Sequence, residues 1–528
     1  MDAARLDRGA LGPLLTTVLD ALAAGVTRRG GPIPAVSPED LAAEIARAFA
    51  PGADPSPELD SGRSTSGSTG PGFSRDPGRD PGRGSGLDSG GGDPDALRRL
   101  TEILAYGSAD PADPYCAAHL HCPPLPVAVA ADLAVSALNP SMDSWDQAPA
   151  ATALETLLID ELAGLVGYPP GAAGVLTSGG TESNLMGLML ARDHVLGRAT
   201  GRRVEVTGLP GDGPRPRIFA SSVAHFSVQR AAALLGLGEE AVVPVAVGDD
   251  LRMDPGALAA ELAASAGRGE LPMAVVATAG TTDTGAIDPL PECARLAAAY
   301  GAWLHVDAAY GGGALLSDRL APLLDGVNLA DSVSLDWHKL GWQPVAAGIF
   351  LVRQAETYAS LARRAAYLNP ADDEDAGYGS LLGLSLRTTR RADAVKIAVT
   401  LRTLGRRGLG ELVNACHDLA LAGAAAVRAH PRLELHTEPV LTAFLFRYLP
   451  TDPAAGPAGP AEIDRVNAAL RRRLLREGRA VVGRTELPGD GPGRVRLKLT
   501  LLNPTTTPEQ IERLLETVVE AGQAEEAR

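Results

Sequence analysis

The sequence predicts an α/β protein built on a mostly parallel sheet, with a smaller α+β region after it. Three observations carry this. Short apolar runs recur at 174–177, 218–222, 273–282, 303–312, 331–335 and 347–352. Most are apolar and β-prone before they end in small or polar residues, as short buried strands are. Helical patterns separate them, as crossovers between parallel strands require, and several runs end in glycine or small polar residues, where open α/β sheets collect their ligands.

The bulk numbers narrow the class. At 528 residues the chain is long enough for more than one domain. A hydrophobic content of 45% with 21% charged residues is that of a globular protein. A net charge of −16 argues against nucleic acid or an anionic membrane as partner. Cys116, Cys122, Cys293 and Cys416 show neither close pairing nor metal-ligand spacing, so reduced thiols and no metal site are expected, His119 and His121 notwithstanding. The chain opens without a basic-then-apolar leader and has no apolar run of membrane-spanning length, so a soluble cytoplasmic protein is the expectation.

In order, residues 1–50 carry two helical patterns, the second starting with Ser37 as N-cap, Pro38 at the first helical position and Asp40 at the third. Such helices commonly pack on a partner subunit. From 51 to 95, Gly, Ser, Pro, Asp and Arg dominate and apolar residues are too few to offset chain entropy, so this is expected to be a disordered insert. A segment from 96 to 173 holds a proline-rich turn, a helix over 127–138 and a polar, aromatic loop containing Asp143, Trp145 and Asp146. Loops held between packed helices often carry specificity residues, so both acids are candidates for a substrate contact. The large domain is placed at 174–425. The remainder, 426–528, reads as a small α+β domain with a strand at 441–448, a helix at 461–477, a strand at 495–501 and a helix at 508–521.

The chemistry gathers at the strand ends. Ser178-Gly179-Gly180-Thr181 opens a helix, where free backbone N–H groups and the positive end of the helix dipole make an anion seat suited to phosphate. It lacks the lysine of a P-loop and the spacing of a dinucleotide fingerprint. His225 follows one strand and can lie against a planar ring. The run Trp303-Leu304-His305-Val306-Asp307 delivers an acid, and the next strand delivers His338 and Lys339. Alone, an Asp after a strand commonly caps a helix and a Lys is commonly solvated. Together, one acid and one lysine on neighbouring strand ends suit a cofactor with a basic ring nitrogen and an aldehyde, pyridoxal 5'-phosphate (PLP). The polar segment 369–380, with Tyr378, reads as an exposed loop that could act as a lid.

The segments SGGTESN, HVDAAYGG, DWHK, TTRRADAVK and LKLTLLNP, in this order, resemble the group II PLP-dependent amino-acid decarboxylases over about 100–520. HLHCPPL, SMDSWDQAPAAT and DWHK followed by QPV look most like the L-2,4-diaminobutyrate decarboxylases among them, with lysine decarboxylases as near relatives. The resemblance implies the fold type I architecture of PLP-dependent transferases and a homodimer with active sites at the interface. It implies Lys339 as the Schiff-base lysine, Asp307 as partner of the ring nitrogen and His225 stacked on the ring. Ala309 would pack on the other face, Gly180 and Thr181 would bind phosphate, and His338 would lie near it. Two positions depart from the pattern: Lys498 stands where many relatives carry an arginine for the substrate carboxylate, and His119 where the glutamate enzymes carry glutamine. Tyr378 is the candidate proton donor. The expected activity is decarboxylation of a basic amino acid, diaminobutyrate ahead of lysine or ornithine, with an aromatic or acidic substrate behind. Another PLP reaction on the same fold, or a scaffold without turnover, are the rival classes.

Overall fold

The computed structural model describes residues 8–49, 93–211, 213–363, 365, 367–452 and 456–527. Most of the low-complexity stretch 51–95 lies outside the described residues. The chain forms two compact units, one running to Asp110 and including Leu475–Ala480, the other holding Pro111–Leu474 and Val481–Arg528.

The first unit is helical: α1 (Leu11–Arg29), α2 (Pro38–Phe49) and α3 (Ala96–Gly107). The start of α2 is capped as its sequence predicts, with the Asp40 amide donating to Ser37 Oγ at 3.0 Å. α1 crosses α3 at Gly25, where a Cβ would stand 2.3 Å from the Glu102 carbonyl oxygen, so a side chain there would push the helices apart. Leu19, Leu22 and Val26 on α1, and Leu97, Leu100 and Leu104 on α3, are exposed at helical spacing.

The second unit starts with α4 (Pro126–Leu138) and α5 (Pro149–Val166). Strands and helices then alternate: β1 (Ala173–Thr177), α6 (Gly180–Thr200), β2 (Pro216–Ser221), α7 (Ser227–Leu234), β3 (Val242–Val245), α8 (Pro255–Gly267), β4 (Leu271–Thr278), α9 (Leu290–Tyr300), β5 (Trp303–Ala308), β6 (Ser332–Asp336) and β7 (Gly348–Val352). They form one seven-stranded sheet in the order β1-β7-β6-β5-β4-β2-β3. The pairs from β6 to β3 are parallel, and β7 runs antiparallel to both its neighbours. No helix crosses between β6 and β7, so the chain turns back on itself there and the reversed strand follows. β5, β6 and β7 are buried along their whole length; β7 is apolar throughout, while β5 and β6 carry His305, Asp307, Ser332, Ser334 and Asp336 into the interior.

After β7, the segment expected to be a loop contains a helical turn, Ala371–Asp375. α10 (Ala394–Ala429) follows and is broken by non-helical backbone at Gly405. β8 (Leu433–Leu435), β9 (Ala443–Tyr448), α11 (Pro460–Arg476), β10 (Gly483–Glu486), β11 (Val495–Thr500) and α12 (Pro508–Glu526) complete the chain. Their strands pair as an antiparallel sheet in the order β10-β11-β9-β8. α12 begins with a Thr507–Gln510 capping box. Among the described residues, no helix is long and apolar enough to cross a membrane.

Candidate active site

A cavity of about 380 Å³ opens at the carboxyl ends of the sheet. Its wall combines the β1–α6 turn (Ser178 to Thr181), Asn184, His225, Thr278, Thr282, Asp307, Ala309, Asp336, His338 and Lys339. Parallel strands ending together, each followed by a sharp turn, bring these distant residues to one edge. Thr278 on β4, Asp307 on β5 and Ser334 on β6 are in register across three adjacent strands.

Asp307 is buried and, among the described residues, accepts from neutral donors alone. Asn184 Nδ2 donates to its Oδ2 at 2.7 Å, while the Ala309 amide and Ser334 Oγ donate to Oδ1 at 3.1 and 3.3 Å. Asn184 comes from the first turns of α6, and its own Oδ1 accepts from Ser334 Oγ and lies 2.9 Å from His305 Nε2. His305 Nδ1 in turn is 2.8 Å from Ser332 Oγ, which also accepts from the Trp303 indole. Complete burial pushes the His305 ring down to about 4, so the imidazole is neutral. The neutral ring has one N–H, and directing it from Nε2 to Asn184 fixes the amide so that its NH₂ faces Asp307. His225 meets the same network from the other side, with Nδ1 2.9 Å from Ser227 Oγ, which accepts from Asn184. Burial is the first cause holding its ring below the usual histidine range.

The opposite end of the cavity is built on β6. Lys339 Nζ lies 2.9 Å from Asp336 Oδ2, and His338 Nε2 lies 3.6 Å from the same oxygen. Gly180 must be glycine here: a Cβ would stand 2.9 Å from the Ala309 methyl and 3.2 Å from Asp336 Oδ2. Beneath the turn, His338 Cε1 would be 3.2 Å from a Cβ on Gly179.

The site fits PLP on its own polar groups. Thr278 Oγ1, Asp336 Oδ1 and His338 Nδ1 are buried without a hydrogen-bond partner among the described residues, and all three residues line the cavity. The N-terminus of α6, at Gly180 and Thr181, would suit a phosphate, and Asp307 and Lys339, in the same cavity, would suit a ring cation and an aldehyde. Behind Thr278, the buried Asp288 carboxylate accepts from the Thr278 and Met253 amides, each at 2.7 Å, and fixes this strand end. Its burial raises it to about 6.

The other predicted residues fall into two groups. Lys498, on β11, is buried beside the cavity, its Nζ 2.8 Å from Asp283 Oδ1 and 3.4 Å from the carbonyl oxygen of Thr282. His119 has Lys498 among its charged neighbours; burial first, then that positive charge, lowers its ring. Asp143, Asp146 and Tyr378 do not line the cavity of their own chain. Asp143 accepts from Ser141 and Thr389, Asp146 accepts from Ser144, and the half-exposed Tyr378 ring meets Trp145 edge-on at 4.9 Å. Four site residues were not singled out from the sequence: Asn184, His305, Thr278 and Asp336. Their signals were available, since His305 stands two residues before Asp307 on one strand face and Asp336 three before Lys339.

A seven-stranded, mostly parallel sheet with a helix N-terminus, a buried aspartate and a lysine gathered at its carboxyl edge fits a PLP enzyme of fold type I. The model described as the pyridoxal-dependent decarboxylase conserved domain matches residues 94–449, and the chain belongs to that family. It is a PLP-dependent carboxy-lyase acting on amino acids. An L-2,4-diaminobutyrate decarboxylase of Rhizobium meliloti (strain 1021) is 43% identical over 409 residues, covering 78% of each chain. An enzyme of the same description from Acinetobacter baumannii is 39% identical over 433 residues, 80% of this chain and 83% of that one. Among solved structures, the glutamate decarboxylase domain of a diaminobutyrate-pyruvate transaminase and L-2,4-diaminobutyrate decarboxylase from Vibrio parahaemolyticus superposes with a TM-score of 0.79 at 32% identity, over 98% of this chain and 96% of that one.

Proposed function

We propose that the enzyme decarboxylates a basic L-amino acid, with L-2,4-diaminobutyrate as first substrate and 1,3-diaminopropane as product. Its likeness to two diaminobutyrate decarboxylases across about four-fifths of the chain is the observation that carries the choice of substrate. PLP, when bound, supplies a conjugated ring that takes up the electron pair left as carbon dioxide departs. The chain's residues do the rest. Lys339 would hold the cofactor through its side-chain amine. Asp307 keeps a proton on the ring nitrogen, because a carboxylate beside it favours the charged form. His225 and Ala309 hold the two faces of the ring, and His338 stands by the phosphate seat of Gly180 and Thr181.

Tyr378 is the proposed proton donor at Cα. Tyr378→Phe should therefore lower kcat by about 10² or more while leaving PLP affinity unchanged. Unchanged kcat would hand the proton to another group. The enzyme is further proposed to work as a cytoplasmic homodimer, the exposed apolar stripes of α1 and α3 supplying surface for a second copy. Asp143 and Asp146, outside their own chain's cavity, would then contact substrate across the subunit boundary.

Mass-spectrometric detection of amine tests the substrate. Diaminobutyrate, ornithine, lysine, glutamate, aspartate and tyrosine would be offered to the PLP-loaded enzyme, with Lys339→Ala as the blank. Diaminopropane from diaminobutyrate alone supports the proposal, and amine from another member of the panel replaces the substrate.

A further inference from the structure

We propose that Asp283 and Lys498 form an exchangeable ion pair that selects amino acids with a distal ammonium: on binding, Lys498 turns to the substrate's α-carboxylate and Asp283 to its side-chain ammonium. The inference rests on the decarboxylase reading and deepens it by naming the residue that reads the side chain.

Lys498 is a buried ammonium whose anionic partner is Asp283, 2.8 Å away. Asp283 is on the turn after β4, its side chain 41% exposed, with Oδ2 accepting from Thr485 Oγ1 at 2.6 Å. Thr282, next to Asp283 in the chain and with its carbonyl oxygen 3.4 Å from Lys498 Nζ, lines both the main cavity and an adjoining one of about 310 Å³ whose wall includes Asp283 and Thr485. Asp283 therefore lines the adjoining cavity beside the residue that both cavities share, and Lys498 reaches that residue's carbonyl from behind the wall. A lysine committed to a neighbouring aspartate is a poor anchor for a carboxylate unless the aspartate is given another cation. Stripping either partner of its counter-charge is costly in a half-buried site.

The charge balance then discriminates between substrates. A basic amino acid brings one carboxylate and one distal ammonium, so the single internal pair becomes two intermolecular pairs and no charge is left alone. A neutral side chain leaves Asp283 unpartnered when Lys498 leaves it. A glutamate or aspartate side chain adds a second carboxylate next to Asp283, which repels it. Thr485 steadies the acid through the exchange, since its hydroxyl stays bound to Oδ2 while Oδ1 changes partner.

The test uses the PLP-loaded full chain and reads amino-acid binding from the change in its visible absorption on rapid mixing, before turnover. L-2,4-Diaminobutyrate and its isostere L-norvaline, in which a methyl group replaces the distal ammonium, would be mixed with the native enzyme and with Asp283→Asn, which keeps the size of the side chain. The native enzyme should bind diaminobutyrate tighter by about tenfold or more. Asp283→Asn should bring the two within about twofold through loss of diaminobutyrate affinity, with norvaline bound no more weakly than before. Thr485→Val should give a smaller loss, again for diaminobutyrate alone. Equal affinities in the native enzyme, an equal fall for both amino acids in Asp283→Asn, or selectivity lost in Asp143→Asn and kept in Asp283→Asn would each overturn the proposal. An enzyme that discriminates the two amino acids but releases no amine from any amino acid would instead overturn the decarboxylase reading.

Discussion

The two ends of the active-site cavity carry the same functional group on adjacent strands and use it in opposite ways. Asp307, on β5, is surrounded by neutral donors from Asn184, Ser334 and the Ala309 amide, so its charge is solvated by dipoles and left for a bound cation. Asp336, on β6, has a lysine ammonium at 2.9 Å and a buried oxygen without a partner among the described residues, beside the turn proposed to seat the phosphate. An acid held by dipoles can act on a ligand. An acid held by a lysine acts first on that lysine. The surroundings, not the residue type, assign the role.

Removing one charge at each end should separate them. Asp307→Asn should lower kcat by about 10²–10³, because a nearby carboxylate raises the basicity of the ring nitrogen by about 1–3 pKa units. PLP should remain bound, as seen in the visible spectrum, and a kcat within twofold of native would sink the role given to Asp307. Asn184→Ala should have an intermediate effect. It strips Asp307 Oδ2 of its donor and His305 of its acceptor, costing about 1–3 kcal/mol of stability in denaturant unfolding and about tenfold in kcat. A loss of stability with unchanged kcat would mean that Asn184 only fills space. Asp336→Asn should have the smallest effect and the opposite sign for the cofactor. Without a carboxylate by the phosphate seat, PLP should bind about two- to fivefold tighter in an absorbance titration of the apoprotein. Weaker binding would show that steadying Lys339 outweighs repulsion of the phosphate.

The contrast also separates what could be read from the sequence and what could not. That Asp307 and Lys339 share one cavity was legible because Asp307 lies at the end of a short buried strand and Lys339 just after the next, and strand ends in a parallel sheet share an edge. The start of α2 was legible because Ser37, Pro38 and Asp40 act on their own backbone. Asn184, inside a helix start already marked as a phosphate seat, was not: its amide reaches back to a strand 123 residues later in the chain. The partnership of Lys498 with Asp283 joins residues 215 apart and leaves no local pattern. The reversal of β7 and the break at Gly405 depend on how the surrounding elements pack. The insert at 51–95 was read from composition alone.

The burial of His305 has a consequence for the protein's tolerance of acid. With its folded ring at about 4 against about 6.5 in the unfolded chain, unfolding takes up a proton between these values, so this residue makes stability fall as pH drops from about 6.5 to about 4. Asp288 acts in the reverse direction. Folded at about 6 against an unfolded value of about 3.9, it binds its proton more readily in the folded state, so it adds stability as pH drops across that window. The two titrations run against each other, and the core behind the cofactor is buffered against moderate acid. Asp288→Asn should expose the histidine's share, so that the thermal midpoint falls more steeply from pH 6 to pH 4.5 than in the native enzyme. Parallel curves would show that the two groups do not offset. One proton taken up at Asp288 as another is refused at His305 would keep the Asp307 end of the site in place while its surroundings acidify.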